Sequence, residues 1–445
     1  MQLTLAPPID DAIKQVEHTG FFSPDDIDWI EKLFWRTGAG RPGSAWDALR
    51  DAHMRLPEWF RRGLDPLGDA YAEQQHQLWQ MLSGVDRPYE PAVDEKEHSW
   101  GDVDPVRAPA YFVRRDAHAI AAASDHVIAT GMILRHSNLK AGDWALEYGP
   151  GFGQTALALA RLGVNVDAVD ISTTFCDFVN RQAEFFQVGL QAFHGRFGDN
   201  PRPQKKYKLI WFYESFHHCL QFQQVVRQLR DHLAEGGRVI LGGEPIVERE
   251  YAAVPYPWGV RLHSEVVAVV RKQHWFELGF SEDFLCELFI NAGFVARRVD
   301  CEPSLFGRLH VFERRPDEVN PGLQWLPTVL ADEWHGPEAD GRWTKSESRW
   351  PVEADGSFSA IEVDLANHLQ HRQRVIVVYG GTEHQVDLAA GERSTLRLSA
   401  RPAARALVFR CKTQVLSWFV RMRSGDKREL GIFVRRVRYV TGAST

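Results

Sequence analysis

The alternation of strand-like and helix-like segments between residues 117 and 315 constrains the fold more than any other feature. Short apolar runs such as WALEYG, VNVDAVD and YKLIWFY are each followed by a stretch with helical periodicity. This alternation is typical of a mostly parallel sheet with helices on both faces. The sequence therefore predicts an α/β core over residues 117–318, built as a Rossmann-like doubly wound sheet.

The segments on either side of this core have different patterns. Residues 1–116 contain apolar residues at helical spacing, as in DDIDWIEKLFWRTG, followed by a proline-rich connector. Residues 319–445 contain short β-rich runs separated by glycine, proline and polar turns. Turns at this spacing are typical of a sandwich. We predict three domains, with a helical N-terminal extension before the core and a C-terminal all-β sandwich after it.

A glycine-rich turn follows the first strand of the core, in the sequence EYGPGFG at residues 147–153. Gly149 allows a tight turn, while Gly151 and Gly153 allow the backbone to come close to a ligand and to the next helix. A tight turn without a ligand is the alternative. The position of the turn, between a strand and a helix, is where doubly wound sheets bind nucleotides.

Three acidic residues follow or end predicted strands of this sheet, and these are Glu147, Asp170 and Glu214. The carboxyl ends of parallel strands share one edge, so the three carboxylates should lie on one rim. Gln154 stands where the GxGxxG pattern of dinucleotide sites has its last glycine, which disfavours NAD. An acid after the second strand can bind ribose hydroxyls, and Glu147 would suit a cationic ligand better than a pyrophosphate.

The segments EYGPGFG, VDIS, KLIWFYESFHHC and LAEGGRVILGGEP resemble, in order, four motifs of the class I S-adenosylmethionine-dependent methyltransferases. The resemblance covers about residues 120–315 and implies their seven-stranded sheet and S-adenosyl-L-methionine as cofactor. It implies that the backbone of Gly149 and Gly151 approaches the methionine portion of the cofactor, that Asp170 holds the ribose and that Ile171 packs on the adenine. The full predicted cofactor set is Glu147, Gly149, Gly151, Gly153, Asp170, Ile171, Asp199 and Glu214.

Candidate catalytic residues lie beyond the fourth and fifth strands. Methyl transfer to a hydroxyl needs alignment of the reacting atoms and a base that removes a proton, a task suited to histidine. His217 or His218 is the expected base, with Glu244 and His263 as further candidates. Each of these side chains can instead be structural, and we predict no metal site, although Glu214, His217, Glu244 and His263 together would offer ligands.

The connector APAYFVRRDAH precedes the core and offers residues that could contact the methyl acceptor. Extensions of this kind commonly cover the substrate in this superfamily, so the resemblance implies that Tyr111 and Arg114 contribute to the acceptor site. Ordinary surface cations on a helix are the equally weighted alternative.

The C-terminal segments EWHGPEADGRWTKSESRW and KRELGIFVRRVRYV resemble an accessory β-sandwich of bacterial surface-polysaccharide biosynthesis proteins. This resemblance covers about residues 325–440 and favours a sugar acceptor. Trp334, Trp343 and Trp350 could stack on a glycan or could seal the sandwich core. The domain could also bind a partner enzyme of glycan assembly.

Composition excludes several functional classes. The net charge of −7 and pI of about 6.2 provide no overall attraction for nucleic acid or anionic lipid. Five scattered cysteines suggest neither a disulfide framework nor a zinc site, and a reducing cytoplasm fits them. The N-terminal residues lack the pattern of a signal peptide, and no window approaches eighteen apolar residues. We expect a soluble cytoplasmic protein.

These observations predict a methyltransferase that O-methylates a sugar or polysaccharide in bacterial glycan biosynthesis. Two alternatives remain open. One is methylation of a small metabolite or a protein, and the other is a non-catalytic, cofactor-binding scaffold of a glycan assembly complex.

Overall fold

The computed structural model describes residues 7–38, 44–95, 103–113, 119–354, 356, 358–416, 421–422 and 425–441. A seven-stranded sheet lies at the centre of the chain, and its strands are numbered here in chain order. They are β1 (Trp144–Tyr148), β2 (Asn165–Asp170), β3 (Leu190–His194), β4 (Tyr207–Tyr213), β5 (Leu233–Gly242), β6 (Phe294–Val299) and β7 (Leu309–Arg314).

The strand order across this sheet is β6-β7-β5-β4-β1-β2-β3. Strands β1 to β5 are parallel, and β7 is antiparallel to both β5 and β6. The order reverses between β1 and β4, so the carboxyl ends of these strands flank the expected ligand crevice. The helices that connect or flank the strands are Ala119–His136, Gln154–Ala160, Thr173–Phe186, Phe222–His232 and Glu282–Asn291.

Both faces of the central sheet are buried. Along β4, Leu209 and Trp211 belong to one hydrophobic cluster, whereas Ile210 and Phe212 belong to another. Successive side chains of a strand point to opposite faces, so each face has its own core. This arrangement is the helix-covered parallel sheet that the near-continuous apolar strands predict.

The N-terminal helices pack on an insertion that follows β5. This insertion contains a three-stranded sheet and the helix Ser264–Gln273, which contacts the helices Ile27–Arg36 and Asp69–Ser83. The Tyr71 hydroxyl donates a 2.7 Å hydrogen bond to the carbonyl of Trp258. The remaining elements of the two segments are Pro7–Thr19, Phe21–Phe22, Pro24–Asp26, Ala45–Ala48, His53–Met54, Pro91–Asp94, Ala110–Val113, Ile246–Val247, Trp258–Val260 and Leu278–Ser281.

The C-terminal region contains two antiparallel sheets that share one hydrophobic core. Trp334 and Val363 of the first sheet and Trp350 and Phe409 of the second belong to the same buried cluster. The first sheet contains Glu318–Val319, Trp334–Glu338, Gly341–Thr344, Ala360–Ala366, Arg393–Ser399 and Phe433–Val440. The second contains Glu347–Pro351, Gln373–Tyr379, Thr382–Leu388 and Ala406–Cys411, and the region also has the helix Thr328–Asp332 and the strand pair Gln414–Val415 and Glu429–Leu430.

Two local predictions are corrected by the structure. The segment LAEGG has the glycines typical of a helix end and is predicted to close the helix that precedes it, but it begins strand β5 at Leu233, and the pairing of β5 with β4 shifts register between Tyr207 and Leu209. Its Gly236 therefore serves an irregularity in a strand and not a helix stop. Trp334, Trp343 and Trp350, predicted in or near loops, lie in strands and are at most 5% exposed, so of the two roles left open by the sequence they fill the core.

Among the described residues, no helix combines the length and apolarity needed to cross a membrane. The order along the chain is helical, then α/β, then β. The boundaries at 116/117 and 318/319 remain predictions, because the insertion after β5 shares its core with the N-terminal helices.

Candidate active site

The glycine turn after β1 adopts the conformation that its glycines permit. Gly149, Gly151 and Gly153 have φ angles of +66°, +50° and +68°, a region that side-chain-bearing residues rarely occupy. A Cβ on Gly149 would stand 2.6 Å from the Cβ of Ser215, whereas a Cβ on Gly151 would meet no atom of the described residues within 4 Å. The Gly151 backbone therefore faces open space at the carboxyl end of the sheet.

Gly153 has a packing role in this turn. It immediately precedes the helix Gln154–Ala160, and a Cβ there would stand 2.7 Å from Val179. Unlike Gly149 and Gly151, Gly153 does not line the cavity that lies at the carboxyl ends of the strands. The structure thus places only two of the three glycines where a ligand can contact them.

Asp170 ends β2 beside the glycine turn and is 7% exposed. Its Oδ1 accepts a 2.8 Å hydrogen bond from the Ser172 backbone, and its Oδ2 lies 3.3 Å from the Gly151 backbone nitrogen. These contacts fix the carboxylate at the wall of the cavity, next to the half-buried Ile171.

A cavity of about 530 Å³ runs along the carboxyl ends of β1 to β4. Its volume lies within the range of pockets for drug-sized ligands, roughly 300–1,000 Å³. Asp199, another predicted cofactor residue, is exposed at its edge and accepts a 2.7 Å hydrogen bond from the Arg196 backbone. The predicted site residues that line this cavity are Gly149, Gly151, Asp170, Ile171, Asp199, Glu214 and His218.

Glu147 does not line the cavity. Its side chain is buried on the sheet face that is covered by the helix Gln154–Ala160, where Oε1 accepts a 2.7 Å hydrogen bond from the Trp211 indole. Burial raises the pKa of Glu147 to about 8, so the carboxyl is mostly protonated at neutral pH. The expected negative charge for a cationic ligand is therefore not supplied by this residue.

Glu244 lies behind the cavity and organises the turn that carries the two histidines. Its Oε1 accepts hydrogen bonds from the backbone of Ser215 (2.9 Å) and Phe216 (2.8 Å), and its Oε2 lies 2.8 Å from His217 Nδ1. Despite burial, His217 and these N–H groups hold the pKa of Glu244 below its usual value. Glu244 thus positions the Phe216–His218 turn.

The two histidines have opposite electrostatic environments. Burial and the neighbouring His218 lower the pKa of His217, whose ring is buried and lies outside the lining of the cavity. His218 lines the cavity with Nδ1 3.1 Å from Glu95 Oε2. Although burial opposes its charge, Glu95 and Glu277 raise the pKa of His218 to about 9. His218 is therefore protonated at neutral pH and is not poised to accept a proton.

Glu277 and Glu95 were not among the predicted site residues. Glu277 Oε2 lies 3.7 Å from His217 Nε2 and also pairs with Arg261. Ligand atoms of His217, His218 and Glu277 all lie within 4.8 Å of one another, a set that could hold a metal ion. Of the metal ligands considered from the sequence, only His217 belongs to this group.

Glu214 follows β4 with a φ angle of +51°, a strained conformation for a non-glycine residue. Burial and the nearby Glu244 raise the pKa of Glu214 to about 7. Its Oε2 lies 3.4 Å from Nδ1 of His126, and the same nitrogen lies 2.6 Å from the Tyr213 hydroxyl. His126 was missed from the sequence because it lies on the helix Ala119–His136, far from the motifs.

Tyr111 stacks on His126, with ring centroids 5.6 Å apart, but is not among the residues that line the cavity, so its role at the acceptor site stays a prediction. Arg114 lies outside the described residues. His263 is separated from the first cavity and lines a second one of about 230 Å³, where its Nε2 lies 2.9 Å from the Tyr251 hydroxyl. Burial and the neighbouring His53 lower the pKa of His263 to about 4.

Comparison with known proteins identifies the core. Residues 145–237 match the family model described as a methyltransferase domain. The chain contains an S-adenosylmethionine-dependent methyltransferase domain. A 137-residue segment is 30% identical to 27-O-demethylrifamycin SV methyltransferase of Amycolatopsis mediterranei (strain S699) and covers 30% of this chain. The chain spans about half, 48%, of the length of that relative.

Solved methyltransferase structures resemble the chain more distantly. The 1,6-didemethyltoxoflavin-N1-methyltransferase of Burkholderia thailandensis is 15% identical with a TM-score of 0.34, covering 44% of this chain and 81% of that one. The geranyl diphosphate C-methyltransferase of Streptomyces coelicolor A3(2) is 16% identical with a TM-score of 0.36, covering 56% of this chain and all of that one. Likenesses this weak carry no argument about acceptor or mechanism.

Proposed function

We propose that the protein transfers the methyl group of S-adenosyl-L-methionine to a hydroxyl of a sugar or polysaccharide. The observation that carries the proposal is the 530 Å³ cavity, which joins the open backbone of Gly151 and the carboxylate of Asp170 to Glu214. One end thus offers groups for a nucleoside and the other a carboxyl group poised to exchange a proton.

The lining residues fit this cofactor. Asp170 would accept hydrogen bonds from the ribose hydroxyls, Ile171 would pack on the adenine, and Asp199 would accept from the adenine amino group. The backbone at Gly149 and Gly151 would contact the methionine portion, because no side chain in the described part of the chain fills the space in front of Gly151. Glu147 has no direct part in this assignment.

When bound, the cofactor supplies an electrophilic methyl group on a positively charged sulfur. The protein has to align an acceptor oxygen with that methyl group and to take up the proton that the hydroxyl releases. His217 is buried away from the cavity and His218 already carries a proton, so neither is a ready base at neutral pH. We assign His218 and Glu244 to shaping the cavity and its charge.

The sugar assignment is supported by the resemblance of residues 325–440 to accessory domains of polysaccharide biosynthesis proteins. We propose that this region binds a glycan-assembly enzyme, because Trp334, Trp343 and Trp350 are buried and their ring faces are not available to a glycan. A small-molecule hydroxyl is the second candidate acceptor, favoured by the likeness to a methyltransferase named for 27-O-demethylrifamycin SV.

Calorimetry and turnover test the proposal together. The full chain should bind S-adenosylmethionine and S-adenosylhomocysteine but not NAD, and should release S-adenosylhomocysteine with a hydroxylated acceptor. NAD binding without binding of either sulfur compound would overturn the cofactor assignment. Cofactor binding with no methyl transfer to sugar, small-molecule or protein acceptors would favour the scaffold function instead.

A further inference from the structure

A second cavity of about 230 Å³ lies at the carboxyl end of β5, beside the first one. It extends from Gly243 and Glu244 towards the turn Leu305–Gly307, where Leu305 and Phe306 are 75% and 37% exposed. The exposure of these two residues, and of Tyr251, indicates where the cavity opens to solvent. None of the functions assigned above uses this space.

Glu214 stands at the boundary between the two cavities. It lines the first cavity, while Gly243 lines the second, and a Cβ on Gly243 would stand only 2.7 Å from Glu214 Cγ. The Phe306 ring of the second cavity also lies 5.8 Å from the ring of His126, the residue that contacts Glu214. The two cavities thus adjoin at the Glu214 side chain.

The lining of the second cavity combines aliphatic side chains with polar and aromatic ones, and it has little uncompensated charge. Arg308 pairs with Glu248 and Asp300, and Arg261 pairs with Glu277. His263 has a lowered pKa and contacts the Tyr251 hydroxyl, so it is neutral at physiological pH. Such a lining offers hydrogen bonds and the Phe306 ring to a neutral ligand, and offers little attraction to an anion.

The volume of the second cavity limits the size of the acceptor group that it can bind. Its volume falls below the roughly 300–1,000 Å³ of pockets that bury drug-sized ligands. A single sugar ring, with hydroxyls around an apolar face, matches the small volume, the hydrogen-bonding groups and the aromatic ring.

We propose that the second cavity binds one neutral sugar unit of the acceptor and that Glu214 accepts the proton of its reacting hydroxyl. This inference rests on the proposed methyl transfer. His126 and Tyr213 are positioning residues. His126 Nδ1 lies 3.4 Å from the Glu214 carboxylate, and the Tyr213 hydroxyl lies 2.6 Å from the same nitrogen and so fixes the His126 ring. Tyr111 and Phe306 flank the His126 ring.

The reaction balances with these groups alone. The acceptor oxygen forms a bond to the methyl carbon as the carbon–sulfur bond breaks, and the sulfur keeps that electron pair. The hydroxyl proton passes to the Glu214 carboxylate. The products are a methyl ether, S-adenosylhomocysteine and a protonated Glu214, which returns its proton to solvent.

The pH profile of turnover should report Glu214. With a pKa of about 7, its carboxyl is increasingly deprotonated as the pH rises, so kcat should rise from pH 6 towards pH 8. The groups that face Glu214 from the surrounding elements are His126, Tyr213, Glu244, Glu277, Arg261 and His218.

Steady-state kinetics on the full chain tests the proposal. The probes are the methyl glycosides of glucose, galactose, mannose and rhamnose, with methyl glucuronide as the anionic comparison. We expect Phe306→Ala and Tyr251→Phe to raise KM for a neutral glycoside about 10-fold, since uniform substrate binding is lost. Glu214→Gln should lower kcat by about 10²–10³-fold, remove its rise near pH 7 and leave binding of S-adenosylhomocysteine unchanged.

Phe185→Ala, on an exposed face of the helix Thr173–Phe186, is the matched control and should leave KM unchanged. If Phe306→Ala and Tyr251→Phe both methylated a glycoside with unaltered KM, the placement of the sugar in the second cavity would be wrong. Binding of S-adenosylhomocysteine with no binding or methylation of any glycoside would overturn the sugar assignment only. Failure to bind the cofactor at all would instead overturn the proposed function.

Discussion

The carboxyl rim of the central sheet and the C-terminal β region distribute their polar groups differently. At the rim, Glu244, Glu277 and His217 are almost fully buried and contact one another or a neighbouring charge. In the C-terminal region, the shared core is aromatic and aliphatic, and charges such as Glu362 pair with arginines that are more than half exposed.

This difference distinguishes a functional site, at the rim, from a mainly structural region, at the C-terminus. Burying charged groups costs free energy unless they are well paired, so a chain that buries several at one rim has kept them against that cost. Exposed ion pairs contribute little, and the C-terminal region gains its stability from packing. The comparison predicts that substitutions at the rim change binding or chemistry, and also stability where a buried charge loses its partners, whereas those in the β region change folding alone.

Trp334→Ala should have the largest effect on stability. Trp334 is 2% exposed, donates a 2.8 Å hydrogen bond to the Arg349 carbonyl and contacts Trp350 and Phe409. Removing a buried tryptophan costs about 3–5 kcal/mol of unfolding free energy. Urea unfolding should show this loss while calorimetry shows unchanged affinity for S-adenosylhomocysteine. A large loss of affinity for S-adenosylhomocysteine would contradict the view that the β region stabilises the protein without contributing to the cofactor site.

Glu244→Gln should lower the unfolding free energy by about 2–3 kcal/mol at pH 7, because charge-assisted hydrogen bonds to backbone N–H groups and to His217 are lost. The folded-state pKa of Glu244 is lowered, so its contribution is present above about pH 4.5, the usual value, and is lost as the pH falls below it. The difference in stability between the two proteins should therefore shrink in acid. A difference that stays constant from pH 7 to pH 3 would contradict this role.

Asp170→Asn should weaken S-adenosylhomocysteine binding about 10–100-fold, since a hydrogen bond to a charged group is worth about 1.5–3 kcal/mol. Titration calorimetry measures the change, and the unfolding midpoint checks that the β2 turn is intact. Glu147→Gln is the control within the same sheet, because Glu147 is already mostly protonated and lies outside the cavity. Equal losses in the two variants would refute the assignment of the ribose contact to Asp170.

Glu362→Gln should have the smallest effect. Glu362 pairs across the sheet with Arg397 and Arg438, which are 59% and 56% exposed. Solvent and salt screen such pairs. The unfolding midpoint should barely move, and any shift should vanish at 1 M salt. A shift comparable to that of Trp334→Ala would mean that charge, and not packing, stabilises the β region.

Much of the fold was predictable because its signals are local. The strands β1 to β7 and most of their helices follow apolar periodicity, and the glycines at 149, 151 and 153 all adopt the positive φ that such turns require. The error at residues 233–237 has a local cause too. Glycines that end helices also mark strand irregularities, and sequence pattern alone does not separate the two.

The site was predictable only in part. The placement of Asp170, Ile171 and Glu214 at the cavity follows from where each strand ends. The different positions of Glu147 and Glu214 do not follow from the strand ends. The Glu147 side chain is buried against Trp211, whereas the Glu214 side chain lines the cavity.

By itself, the sequence determined the α/β core, the glycine turn and the order of the three regions, because periodicity and backbone freedom are properties of neighbouring residues. Only the tertiary structure decided which acids and histidines meet. His126 reaches Tyr213 across 87 residues, and Glu277 comes to His217 from the insertion after β5. Such contacts decide protonation, since burial and partners set each pKa, and these depend on residues far apart in the chain.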